Sequence, residues 1–124
     1  MPATTAAVAQ ELVALCREGK NLDAINKFYS PDIVSVESMG NEQMPAEMQG
    51  IAAIRGKNEW WMSNHEVHSA GANGPYVGDD QFAAHFIYDV TFKPTGQRMT
   101  MKEMALYTVK DGKIVREEFF YKTS

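Results

Sequence analysis

Cysteine is nearly absent from this sequence. Cys16 stands alone, so the chain carries neither a disulfide framework nor a thiolate metal site of its own. Long apolar runs are missing too. None approaches the roughly 20 residues that span a bilayer, and the N-terminus has no signal-peptide core. A cytosolic protein is the expectation. No block of basic residues exists either. Twelve Lys and Arg stand against sixteen Asp and Glu, for a net charge of −4, which argues against nucleic acid and against an anionic membrane as partner. There is no phosphate-binding glycine loop, nucleophile elbow, internal repeat or low-complexity tract. His65 and His68 lie three apart, so on a strand they point to opposite faces and do not share a metal. No metal and no cofactor is expected.

The chain does have ordinary hydrophobic content, 44% of 124 residues. That suffices for one domain with a real core. Its organising stretch runs from Gln81 to Tyr121 and reads as three antiparallel strands, Phe82–Phe92, Gln97–Val109 and Lys113–Tyr121. The turns between them, Lys93-Pro94-Thr95-Gly96 and Lys110-Asp111-Gly112, place Gly where a positive φ is needed.

Period two divides the first of these strands into an uncharged face, Phe82, Ala84, Phe86, Tyr88, Val90 and Phe92, and a polar one. The uncharged face should look inward. A four-residue loop then brings Met99, Met101, Glu103, Ala105 and Tyr107 inward as well. For the second turn a three-residue connection is favoured, with Gly112 in a left-handed bulge position. It pairs Val109 with Lys113 and turns Val115, Glu117, Phe119 and Tyr121 inward. A two-residue turn would bury Arg116, Glu118 and Phe120 instead, at the cost of two buried charges rather than one. In the favoured register Glu103 pairs with Phe119 and Glu117 with Ala105. The two carboxylates then sit on one apolar, aromatic face beside Tyr88, Tyr107 and Tyr121. Either both glutamates lie at a wet rim, or they converge in a concave pocket.

Before this meander, Thr4 or Thr5 can cap a first helix running to about Glu18, with Val8, Leu12, Leu15 and Cys16 as its apolar stripe. Cys16 on that stripe reads as packing. Asn21 caps a second helix, with Leu22, Ile25, Phe28 and Tyr29 inward, and Ser30-Pro31 ends it. Ile33–Glu37 is a short strand whose Val34, Val36 and Ser38 face inward and whose Glu37 faces out. The loop Ser38–Gln49 holds Met39, Met44 and Met48. It is either a lid over an apolar ligand or a plain connection whose methionines fill gaps. A third helix, from about Ile51 to Ser63, has an apolar stripe of Ile51, Ile54 and Trp61 broken by Lys57 and Asn58. Lys57 either finds Glu103 or Glu117 as partner or extends its stem to solvent. Gly56 in mid-helix suggests close packing there. His65 to Ala72 reads as a further strand.

The order of these elements is α+β. Phe28-Tyr29-Ser30-Pro31-Asp32, then Gly50 with Ala53-Ile54-Arg55, then Asp111-Gly112-Lys113-Ile114 ending at Phe120-Tyr121, together resemble the nuclear-transport-factor-2-like superfamily. Within it the chain is most similar to the SnoaL-like group, whose named members are polyketide cyclases. The resemblance covers nearly the whole chain. It implies a cone-shaped fold in which three N-terminal helices pack on a curved mixed or antiparallel sheet around a pocket. It also implies a homodimer through the outer face of the sheet.

Two activities of the superfamily do not carry over residue by residue. The acid–base aspartate of the cyclases falls at Phe119, which cannot transfer a proton. The general base of the similar ketosteroid isomerases falls at Ser38, and their oxyanion donors near Leu12–Val13 and at Ala105. What remains is a pocket of different chemistry. Glu103 and Glu117 are its candidate catalytic groups. Tyr29, Lys57, Trp61, Tyr88, Tyr107, Phe119 and Tyr121 are its candidate contacts to a small apolar or aromatic molecule. Two classes of function stay open: an acid–base lyase, isomerase or cyclase, and a binding or sensing module without catalysis.

Overall fold

Three helices and six strands follow one another as α1 (Thr5–Arg17), α2 (Asn21–Phe28), β1 (Tyr29–Val36), β2 (Glu47–Gln49), α3 (Ile51–Asn64), β3 (His65–Val77), β4 (Gln81–Phe92), β5 (Gln97–Lys110) and β6 (Lys113–Phe120). This computed structural model describes residues 3–42 and 45–122; Met44 lies outside them. The strands form one mixed sheet in the order β2-β1-β6-β5-β4-β3, with only the β1–β6 contact parallel. The architecture is the α+β arrangement the sequence implies.

Thr4 caps α1 by accepting a hydrogen bond from the Ala7 amide at 3.1 Å. Val8, Ala9, Leu12, Val13 and Cys16 form its buried face, which packs chiefly against β3. Arg17 Nε fastens the same pair by donating to the Ala72 carbonyl at 2.9 Å. With Phe82, Ala84, Phe86, Ile114 and Tyr107 from the sheet, these residues make the core.

Except at Val115, whose expected inward place Ile114 takes, the meander keeps its expected faces for a reason the sequence did not show. The β4–β5 register runs unbroken from Gln81 opposite Thr108 to Phe92 opposite Gln97. The second turn has two residues, not three: Lys110 faces Lys113, and Asp111 and Gly112 both have positive φ, 52° and 76°. That is the primed turn whose twist matches a hairpin. A bulge then restores the phase. Val109 faces Ile114 but Thr108 faces Arg116, so Val115 is an extra residue and Glu117 returns to the inner face. The cross-strand partners therefore change. Glu117 faces Tyr107, and Phe119 faces Ala105. Glu103 and Glu117 are not the diagonal neighbours expected from the other turn.

Other boundaries differ as well. Asn21 is the first residue of α2, and Lys20 precedes it without a side-chain cap. Leu22 is exposed rather than inward. The first strand starts at Tyr29, so Pro31 lies within it. Its phase is the reverse of the one expected: Ile33 and Ser35 are buried, and Glu37, not Ser38, reaches the interior. Alternation misleads here because the inner face of this strand is polar, with Ser35 and Glu37 among hydrogen-bonding partners. The long loop also contains a strand, β2, paired with β1.

Candidate active site

One face of the sheet and the three helices border a cavity of about 940 Å³, within the range of small-molecule sites. All nine residues singled out from the sequence border it; Tyr29, Tyr107 and Glu117 do so as buried walls, and the other six remain partly accessible.

Its polar end is one connected chain of hydrogen bonds, and strand register creates it. Ser35 on β1 lies opposite Glu117 on parallel β6. Ser35 Oγ donates to Glu117 Oε1 at 2.8 Å, and the Tyr29 hydroxyl donates to Glu117 Oε2. Lys57, on α3 above, donates to Ser35 Oγ at 2.7 Å and to Glu37 Oε2 at 3.0 Å. The Tyr121 hydroxyl donates to Glu37 Oε1 at 3.1 Å. The polar break in the α3 stripe thus has its partner, and it is Glu37 rather than Glu103 or Glu117. The Lys57 ammonium also lies 5.4 Å from the centre of the Phe119 ring, close enough for a cation–π attraction.

The two glutamates differ in kind. Glu117 is 2% exposed with both oxygens engaged. Its pKa is raised, because burial outweighs Lys57 and the Tyr29 and Ser35 donors that favour the ionised form. Glu103 borders the cavity with no hydrogen-bond partner among the described residues. Burial first, then the negative charge of Glu37, pushes its carboxyl up to about 7 against the pull of Lys57. One carboxylate is fixed in a lattice of donors; the other is free to meet a ligand. Tyr88, also raised chiefly by burial, stands beside it on β4.

The other end is aromatic. Trp61 lies 5.4 Å from Tyr88 and stacks on His65 at 4.4 Å, and His65 packs against Phe92 at 5.2 Å, all between ring centres. Sequence reasoning missed Ser35, Glu37 and His65. The first two were lost to the reversed phase of β1. For His65 a signal existed: it continues the inner face of the meander, opposite Phe92. His68, by contrast, is exposed and bonded to Thr91 at 2.7 Å. Among the described residues no group of three His, Cys, Asp or Glu could hold a metal ion. Cys16 borders the cavity, but burial raises its thiol to about 12, which leaves little thiolate.

Gly56 does not mark close packing. A Cβ there would meet nothing within 4 Å, and the residue borders the cavity. Gly40 does: a Cβ would fall 2.1 Å from the Ala46 nitrogen. The loop is therefore pinched at its neck, where the Glu37 amide donates to the Ala46 carbonyl at 2.8 Å. Met39 and Pro45 border the cavity from this loop.

A model of the SnoaL-like domain matches residues 3–121. The chain belongs to the SnoaL-like family. A crystal structure from Mesorhizobium loti, provisionally described as a SnoaL-like polyketide cyclase with "carbohydrate phosphatase" in brackets, is 46% identical. The match covers 96% of this chain and all of that one, with a TM-score of 0.90. A Xanthomonas campestris protein of unknown function with a cystatin-like fold is 18% identical over 98% of this chain and 92% of that one, TM-score 0.77. A Bacillus subtilis protein provisionally described as an isomerase is 19% identical over 95% and 86%, TM-score 0.75. These last two share the fold. Among curated proteins none matches. In this SnoaL-like chain, Ser38 is spent on structure: its hydroxyl donates to the Phe119 carbonyl at 2.8 Å and accepts from the Tyr121 amide at 3.1 Å. No helix of the described residues is long and apolar enough to cross a membrane.

Proposed function

We propose that this SnoaL-like protein is a proton-transfer enzyme for a small apolar or aromatic carbonyl compound, with Glu103 as its acid–base group. Glu103 takes a proton from the carbon beside the carbonyl and returns it at the same or a second position, as an isomerase, lyase or cyclase requires. Lys57 supports the developing oxyanion. An ammonium has three N–H donors; Ser35 and Glu37 occupy two of them, and the third serves the substrate oxygen. Glu117, Ser35, Tyr29, Glu37 and Tyr121 hold that ammonium in place. The observation that carries this reading is Glu103: a carboxyl without a hydrogen-bond partner among the described residues, bordering a large aromatic cavity and poised near neutrality. The description of the Mesorhizobium loti relative as a polyketide cyclase agrees with a carbonyl-bearing substrate.

Deuterium exchange at the acidic carbon of 2-tetralone, followed by proton NMR, tests this. Wild type is expected to exceed the buffer rate, with the rate climbing as pH passes through about 7 and Glu103 becomes ionised. Glu103→Gln is expected to fall to the buffer rate. If tetralone binds to the wild type with no acceleration, the site is a binding module and the catalytic reading fails.

A further inference from the structure

His65 takes no part in the reaction proposed above, yet it borders the same cavity. It is the first residue of β3, directly after α3, and only 9% of it is exposed. Its Nδ1 lies 2.8 Å from the Trp61 carbonyl oxygen. A carbonyl only accepts, so Nδ1 carries the hydrogen, and in the neutral ring Nε2 is left as an acceptor. Nε2 has no hydrogen-bond partner among the described residues. Yet among those residues no fully buried side-chain nitrogen or oxygen lacks one. Nε2 is therefore not sealed in, and His65 is one of the residues that border the cavity.

The ring cannot leave to find a donor elsewhere. Trp61 stacks on it at 4.4 Å and 17°, Phe92 lies against it at 5.2 Å, and Trp60 meets it edge-on at 6.2 Å. Glu103 lies well away along the sheet. His65 faces Phe92, and Glu103 faces Phe86. Six residues of β4 separate those partners, roughly 20 Å of strand. An acceptor held inside an aromatic wall, with no hydrogen-bond partner among the described residues, suits a flat ring that carries its own O–H.

We propose that His65 Nε2 is a ligand-binding acceptor that selects an aromatic hydroxyl, so that the cavity takes phenol-type molecules with the hydroxyl at the Trp60–Trp61–Phe92 end. Flat rings gain from stacking on these walls, and a phenolic O–H is a strong donor to an imidazole nitrogen. The inference shares with the proposed function the premise that this cavity is the ligand site, and it does not depend on proton transfer by Glu103.

The test compares 2-naphthol with 2-methoxynaphthalene, which keeps the rings and lacks the donor. Affinities come from NMR titration, together with the His65 imidazole nitrogen resonances of the wild type. Wild type is expected to bind the naphthol about tenfold more tightly than the ether, the worth of one hydrogen bond, with Nε2 shifting for the naphthol alone. His65→Phe should lose that preference by weakening naphthol and leaving the ether unchanged; His65→Gln, which keeps an acceptor, should regain part of it. Equal affinities in the wild type, an unmoved Nε2, equal loss of both ligands in His65→Phe, or no binding of either ligand would overturn the proposal. The Nε2 shift decides the matter even where a variant fails to fold. Glu103→Gln should keep the naphthol preference. In the wild type, tetralone exchange no faster than buffer with an intact naphthol preference sinks only the catalytic reading, and the reverse result sinks only this one.

Discussion

Glu103 couples stability to pH, because burial raises its carboxyl from the ordinary 4.5 to about 7 without giving it a hydrogen-bond partner among the described residues. The folded state then holds a proton that the unfolded chain has already released. Its contribution is complete below about 4.5 and disappears as pH rises through about 7, a loss on the order of 3 kcal/mol. The raised Glu117 acts in the same direction. Asp89, lowered by its bond to Arg98, acts in the opposite direction at lower pH, so the clean window lies above 4.5. Urea denaturation across pH 5 to 8 is expected to show falling stability for the wild type and a flatter profile for Glu103→Gln. Equal slopes would mean that Glu103 is not the group responsible. At this same scale Ser35 shows what a sequence hides. One hydroxyl accepts from Lys57 and donates to Glu117, yet serine in a strand carries no mark of that role.

Among the elements, α3 departs furthest from an ordinary amphipathic helix. Ile54 is its one buried residue, because the rest of its inward side faces a cavity rather than packed side chains. That explains the weak stripe read from the sequence. Gly56 sits there with open space where a Cβ would be, so Gly56→Ala should gain helix propensity without a clash. The expected gain is up to about 1 kcal/mol, a melting-temperature rise of roughly 4 °C. A fall in melting temperature would show that the glycine is needed for a packing contact after all. The β5–β6 hairpin teaches a different lesson. Asp111-Gly112 permits either turn length, and only the bulge at Val115 decides which residues face in. Two errors, one in turn length and one in the missing bulge, cancelled in the facing of Glu117 and Phe119 and survived in their partners.

At the scale of the whole molecule, the outer face of the sheet carries exposed apolar side chains. Met104 and Phe120 are 42% and 51% exposed and face each other across β5 and β6, with Ile87 and Leu106 half-buried nearby. The Arg116–Glu118 pair, 2.6 Å apart, lies beside them. We propose that a second copy covers this patch around a twofold axis, since monomers seldom leave such surface wet. Light scattering should give twice the chain mass for the wild type, with Phe120→Arg moved toward monomer. A monomeric wild type at micromolar concentration would refute it.

The sequence by itself determined the α+β order, the two hairpins and the inner face of β4 and β5. These follow from local periodicity, turn chemistry and the separation of apolar from polar residues, all of which act over a few neighbours. The tertiary structure alone decided that Glu37 pairs with Lys57, that Ser35 joins Lys57 to Glu117, and that the Nδ1 of His65 meets the Trp61 carbonyl. Those contacts join residues 20, 22 and 82 positions apart or depend on which atom of a ring faces a carbonyl. They are set by the parallel register of β1 on β6 and by the place of α3 above it. A polar inner face gives no hydrophobic alternation to read, so only the assembled sheet can say which way it points.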